Sequence, residues 1–122
     1  MKINITYKNK KFEVDVKKVS EIGKIKGLMF TSRENAKALL FQFKNSTKQP
    51  IHSCFVRFPF FAIWLNSDGK IIEIQKISPW KLSVNPKEDF TTLIEIPYNS
   101  KYKEIIQFLD DNERFKKKNT VR

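Results

Sequence analysis

The residues able to do chemistry concentrate in one stretch, Ile51 to Ile72, which holds the chain's single histidine, His52, its single cysteine, Cys54, Ser53 between them, and Arg57. A serine beside a histidine, completed by a carboxylate such as Glu73, has the parts of a nucleophilic triad, so hydrolysis by Ser53 and His52 is one hypothesis. It has no Gly-x-Ser-x-Gly elbow to support it, and a histidine bonded to a neighbouring backbone group explains His52 equally well. No Cys/His group reaches zinc-ligand spacing and no carboxylates cluster, so neither a metal nor another cofactor is expected. The phosphate-loop and dinucleotide fingerprints are absent.

Cys54 lies among aromatics, where a thiol behaves as a small hydrophobe. On a strand, Arg57 would point to the opposite face from Cys54 and could not activate it. Arg57 itself sits between Val56 and Phe58, and a desolvated guanidinium needs a partner. Glu95 or Glu73 would be a structural partner; the alternative is an anionic ligand. Trp80, with Lys76, Lys81 and Lys87 around it, has the composition of a stacking platform for single-stranded nucleic acid. The structural alternative is a tryptophan closing one end of a barrel. The candidate ligand-binding residues are therefore Arg57, His52, Ser53, Trp80 and Glu95.

Phe55, Phe58, Phe60, Phe61 and Trp64 around these residues are too much apolar surface to leave in water, each contributing roughly 1.5–3 kcal/mol when buried. Pro59 removes a ladder donor and divides the stretch into two expected strands, Ile51–Phe58 and Phe60–Asn66. Ile3, Ile5 and Tyr7, then Phe12, Val14 and Val16, alternate with polar residues and predict a hairpin turning at Lys8–Lys10. From Lys17 to Phe30 the spacing changes to three or four and predicts a short helix with Ser20 at its start, weakened by Gly23 and Gly27.

Thr31–Lys37 reads as a loop, Ala38–Phe43 as a strand and Lys44–Pro50 as a second loop. Asp68-Gly69 is a strong hairpin signal leading into a strand Lys70–Ile77, with Ile72 and Ile74 expected on one face. Pro79 and Pro86 bracket an extended segment with Trp80, Leu82 and Val84, and Phe90–Ile96 is a further strand. Tyr102, Ile105, Ile106 and Leu109 form the stripe of an amphipathic helix. A basic tail, residues 114–122, is expected to fray, leaving one domain over residues 1–113.

Length and composition agree with a single core, since the 122 residues are 40% hydrophobic. The 24 Lys and Arg against 13 Asp and Glu give a formal charge of +11, which raises the local concentration of any anionic partner without identifying it. Solubility alone is the bland explanation. No signal-like apolar run opens the chain and no run approaches the ~20 residues of a spanning helix, so a cytoplasmic protein without a transmembrane segment is expected.

Three stretches together resemble the family catalogued as domain of unknown function 192. The first is Gly27-Leu28-Met29-Phe30 with the strand Ala38-Leu39-Leu40-Phe41-Gln42-Phe43 after it. The second is His52-Ser53-Cys54-Phe55-Val56-Arg57-Phe58-Pro59, similar to its archaeal-type members. The third runs through Asp68-Gly69-Lys70-Ile71-Ile72, Ser78-Pro79-Trp80 and Leu93-Ile94-Glu95-Ile96-Pro97. The resemblance spans about Val14 to Asp111 and implies a compact α+β domain with a strongly bent, barrel-like and mostly antiparallel sheet. It implies no established activity.

This chain departs from the family pattern at Phe61, where an aspartate is usual, and at Pro97-Tyr98-Asn99, where the family has Pro-Ala-Gly. The closing Gly-Asp is not evident near Leu109. Losing the aspartate removes the carboxylate most able to pair with Arg57. The combined expectation is a single α+β domain of six to eight strands with one or two short helices, acting as a binding or accessory module for a small anionic or extended ligand near Arg57 and Trp80. Sequence-tolerant nucleic-acid binding through a basic face is the alternative, and a Ser53/His52 hydrolase the third reading.

Overall fold

The computed structural model describes residues 1–19, 28 and 31–120, with side chains as far as Asn112. Its first element is the expected hairpin: β1 (Lys2–Tyr7) pairs antiparallel with β2 (Lys10–Lys18), from Lys2↔Asp15 to Tyr7↔Lys10. The turn residues Lys8 and Asn9 have φ of 50° and 66°. Two consecutive left-handed residues match the right-handed twist of the flanking strands, and asparagine tolerates this conformation better than lysine.

β3 (Ala38–Thr47) lies parallel to β2 through Val16↔Ala38, Lys17↔Leu39 and Lys18↔Leu40. β4 (Phe60–Leu65), β5 (Ile71–Ile77) and β6 (Phe90–Pro97) complete a sheet ordered β1-β2-β3-β6-β4-β5, in which the remaining pairs are antiparallel. The sheet curls into a half-barrel. A single-turn 3₁₀ helix, Ser100–Tyr102, leads into α1 (Lys103–Thr120).

The two faces of the sheet bury two apolar layers. Ile5, Phe12, Val14, Leu40, Ile63 and Ile94 face α1 and receive its stripe of Tyr102, Ile105, Ile106 and Leu109. The opposite face buries Leu39, Phe41, Phe60, Ala62, Trp64 and Leu93 beneath Leu28, Ala36, Val56 and Phe58. Loops, rather than a helix, supply the described part of that cover. Buried side chains hold the edges of the layers together. The Tyr102 hydroxyl donates to the Asp15 carbonyl and accepts from the Ala38 amide, both at 2.8 Å, clamping the short parallel β2–β3 pairing. Asn99 donates to the carbonyls of Arg33 (2.7 Å) and Ala36 (2.9 Å) and caps the 3₁₀ turn by accepting from the Lys101 amide.

Several sequence expectations are corrected. Ile51–Phe58 is not a strand: Ile51 makes an isolated bridge to Val84, and the chain then turns. Cys54 to Phe58 lacks the alternation a half-buried strand needs, and the Ser53 hydroxyl offers the backbone a local partner in place of a ladder. Pro79–Pro86 is likewise a turn that bridges at Val84, with Trp80 at φ 65°. β3 continues to Thr47, into the expected loop. In β5 a register shift opposite Trp64/Leu65 pairs Leu65 with Ile71 and Trp64 with Glu73. Ile72 is left over, so Ile71 and Ile74 pack towards α1 while Ile72 packs on the other face. The helix expected across Lys17–Phe30 begins within β2, and its remainder, including Ser20, lies almost wholly outside the described residues. The side chains of the basic tail also lie outside them.

Candidate functional site

Two turns meet on the side of the sheet away from α1, and Ser53 joins them. Its backbone amide donates to the Lys81 carbonyl (2.9 Å), and its carbonyl accepts from the amides of Trp80 (2.9 Å) and Val56 (3.1 Å). Its hydroxyl donates to the Ser78 carbonyl and accepts from the Lys81 amide, both at 2.7 Å. The paired amides and carbonyls of Ile51 and Val84 close the far end at 2.9 and 2.7 Å. Ser53 is completely buried. A hydroxyl that both donates to and accepts from backbone groups acts as a staple, and its lone pairs are not aimed at a substrate.

His52 is exposed, and its Nδ1 accepts from the Cys54 amide at 3.2 Å. The imidazole therefore does not meet the Ser53 hydroxyl, and Glu73 is engaged elsewhere, by Gln75 and by the Lys87 amide at 2.7 Å. The half-buried Cys54 donates its thiol to the Lys81 carbonyl at 3.8 Å. The reasoning that placed Arg57 and Cys54 on opposite strand faces does not apply, because this segment is a turn.

The stapled turns present an aromatic pair. Phe55 and Trp80 contact each other with ring centroids 5.0 Å apart and planes at 65°. Both are exposed, at 46% and 57%, and Leu82 beyond them is 85% exposed. Both aromatics also have left-handed backbones, with φ of 62° and 65°. Bulky residues in that region are uncommon and cost about 1–3 kcal/mol, so the staple holds two unfavourable conformations whose result is to keep large apolar rings in water. Trp80 does not close the barrel, and Phe55 does not belong to the core, contrary to the structural alternatives read from sequence.

Arg57 is exposed two residues from Phe55, and Lys81 is exposed beside Trp80. Among the described residues no ion pair or hydrogen bond joins Arg57 to Glu95 or Glu73. Nor is Phe61 its neighbour. Phe61 is buried on the α1 side, stacked on Tyr98 at 6.4 Å and 27°, and opposite Lys76 in the β4–β5 register. A carboxylate at position 61 would face Tyr98 and Lys76. In this chain the Lys76 ammonium lies over the Tyr98 ring, 4.5 Å from its centroid, and pairs with Asp110 at 3.2 Å.

Glu95 is not part of the exposed surface. It stands on central β6 opposite Leu39 and Ala62, on the face away from α1, and is 5% exposed. Burial pushes its carboxyl up to about 8. Trp64, diagonally across the β4–β6 register on the same face, has a buried indole N–H without a hydrogen-bond partner among the described residues. The structure thus gathers His52, Ser53, Arg57 and Trp80 on one double turn and leaves Glu95 beneath the sheet's cover. Sequence reasoning missed Phe55 and Leu82 as surface residues; the broken alternation around Phe55 and the prolines flanking Leu82 were the available signals.

A separate open groove of about 500 Å³ runs between Arg33, Glu34, Tyr98, Asn99 and α1. Several of its polar groups are already matched: Arg33 Nε donates to the Tyr98 carbonyl, Ser100 donates to Glu34, and Asp110 takes Lys76 and the Tyr98 hydroxyl. Among the described residues no group of three His, Cys, Asp or Glu side chains is placed to hold a metal, and no helix is long and apolar enough to cross a membrane.

Comparison with known proteins agrees with the fold. The family model for DUF192, described as "Uncharacterized ACR, COG1430", matches residues 2–107, and the chain belongs to that family. No curated protein matches the chain. A crystal structure of a protein of unknown function from Novosphingobium aromaticivorans DSM 12444 superposes with a TM-score of 0.69 at 15% identity, covering 79% of this chain and 71% of that one. Another, from Sinorhizobium meliloti 1021 and described as "a putative transcription regulator", has a TM-score of 0.69 at 19% identity and covers 84% and 81%. At these identities the likeness is one of fold.

Proposed function

We propose that this member of the DUF192 family is a binding module that takes an extended anionic ligand on the double turn of residues 52–57 and 78–82. The observation that carries the reading is the Phe55–Trp80 pair, held in water by a buried serine staple at two left-handed backbone positions. Proteins tolerate such strain where the surroundings over-determine it, and those places are disproportionately ligand sites. Arg57 and Lys81 are exposed cations two residues from Phe55 and next to Trp80 in the chain, and the +11 charge of the whole chain favours encounter with anions. Binding fits better than hydrolysis, since Ser53 and His52 spend their polar atoms on the backbone of the turns.

Trp80 provides its own readout. The only other tryptophan, Trp64, is fully buried, so a collisional quencher in solution reaches the emission of Trp80. Titration with inorganic polyphosphate, a sulfated oligosaccharide and short oligonucleotides is expected to protect that emission saturably with at least one of them. Arg57→Gln combined with Lys81→Gln is expected to abolish the protection. The reading fails if no polyanion protects Trp80, or if the double variant is protected as well as the parent.

A further inference from the structure

The geometry points to single-stranded nucleic acid as the ligand of the Phe55–Trp80 surface, with bases stacking against the rings and phosphates meeting Arg57 and Lys81. This rests on the binding reading above and narrows it to one chemical class. Three features select that class. First, the surface combines aromatic area with cations at close sequence spacing, Phe55 with Arg57 and Trp80 with Lys81. A polyanion without planar groups would use the cations alone and leave the aromatics unexplained.

Second, the two ring planes are inclined at 65° with centroids 5.0 Å apart. Bases held parallel inside a duplex cannot lie flat on rings inclined to each other, whereas the unstacked bases of a single strand can turn independently. Third, the site is a double turn whose described exposed side chains are chiefly rings and cations. It suits stacking that is tolerant of sequence, because every base has a π-face, and it lacks the helix or ribbon needed to read a groove.

The test uses the full chain and a labelled oligothymidylate of about a dozen nucleotides, within the ~4–16 nucleotide range of single-strand sites. Oligouridylate, the duplex form and inorganic polyphosphate are compared alongside it. Trp80→Gly removes the ring yet accepts the left-handed backbone without strain, and Phe55→Gly does the same at the second position; thermal unfolding checks that both remain folded. Either substitution is expected to weaken oligothymidylate binding by about tenfold or more, the scale of one lost base–aromatic stack. The Trp80→Gly variant should keep the parent's salt dependence. Arg57→Gln should reduce the slope of log K against log salt by about 0.7, the share of one phosphate contact.

Comparable binding of oligothymidylate and oligouridylate assigns the site to base stacking and phosphates, while a preference for one adds a contribution from the sugar or the thymine methyl. Polyphosphate binding as tightly as the oligonucleotide, with Trp80→Gly without effect, overturns the inference but leaves the anion-binding reading standing. Protection of Trp80 by a sulfated oligosaccharide alone also overturns it, in favour of a carbohydrate ligand. Tighter binding to the duplex overturns it as well. Failure of every polyanion to bind overturns both readings.

Discussion

At the scale of single residues, the double turn can be tested by asking which of its side chains stabilise the fold. Ser53 is the one that should. Its hydroxyl joins the Ser78 carbonyl to the Lys81 amide in a fully buried position, so Ser53→Ala leaves one buried donor and one acceptor unmatched. Each such group costs about 1–3 kcal/mol, and a loss on the order of 2–4 kcal/mol in urea unfolding is expected. A nucleophile would behave differently, losing activity with little change in stability. Phe55 and Trp80 should do the opposite of Ser53. Both are about half exposed and left-handed, so Trp80→Gly should leave the unfolding free energy unchanged or raise it by up to about 1 kcal/mol through relief of backbone strain. A loss above about 2 kcal/mol would mean that the ring is part of the packing, and the case for a ligand surface would be withdrawn.

At the scale of elements, the legibility of the sequence followed the strength of its periodicity. β1, β2 and α1 announce themselves because one face alternates or strides regularly, β4 reads instead as a continuous apolar run after Pro59 that is buried on both faces, and Asp68-Gly69 marks its hairpin with Gly69 at φ 79°. Residues 52–58 carry Phe55 and Phe58 just ahead of the aromatic β4, and composition alone made them look like its partner strand. What decides between strand and turn there is the tertiary staple of Ser53 to residues 78–81, which is invisible in a linear reading. The same holds for Glu95 and Arg57: residue type suggested an ion pair, but the register puts the acid beneath the sheet's cover and the turn puts the arginine outside. The β5 bulge likewise depends on pairing with β4, and so the side on which Ile72 falls could not be read from its neighbours. The first hairpin offers a direct check of element-level reasoning. Lys8 and Asn9 occupy the left-handed pair of its turn, and the Asn-Gly sequence suits that geometry best. Replacing Lys8→Asn and Asn9→Gly together should stabilise the protein by about 0.5–1 kcal/mol, seen as a raised denaturant midpoint at unchanged m-value. A lower midpoint would show that this turn does not limit the hairpin.

At the scale of the whole molecule, the buried acid on β6 links global stability to pH. The Glu95 carboxyl has an ordinary value of 4.5 and is raised by burial to about 8 in the fold. Below pH 4.5 both the folded and unfolded chains hold this proton, and the group does not bias the equilibrium. Between 4.5 and 8 the unfolded chain releases it while the folded chain retains it, so the folded state binds more protons and stability falls as pH rises. The slope is about 1.4 kcal/mol per pH unit, and the effect levels off above the folded value at a total on the order of 3–5 kcal/mol. Other groups titrate in the same range, and in a chain of charge +11 protonation of surface carboxylates at low pH adds repulsion of the opposite sign. The informative quantity is therefore the difference between the parent and Glu95→Gln, which keeps the shape of the side chain and cannot ionise. Urea unfolding at pH 4.5, 6 and 8 should give nearly equal stabilities for the two at the lowest pH and a growing advantage for Glu95→Gln as pH rises. Equal pH profiles would show that the Glu95 carboxylate has found solvent or a cation in the native state. A variant less stable than the parent at pH 8 would mean that the ionised group is held by partners, and the picture of a neutral acid within the apolar layer would have to be abandoned.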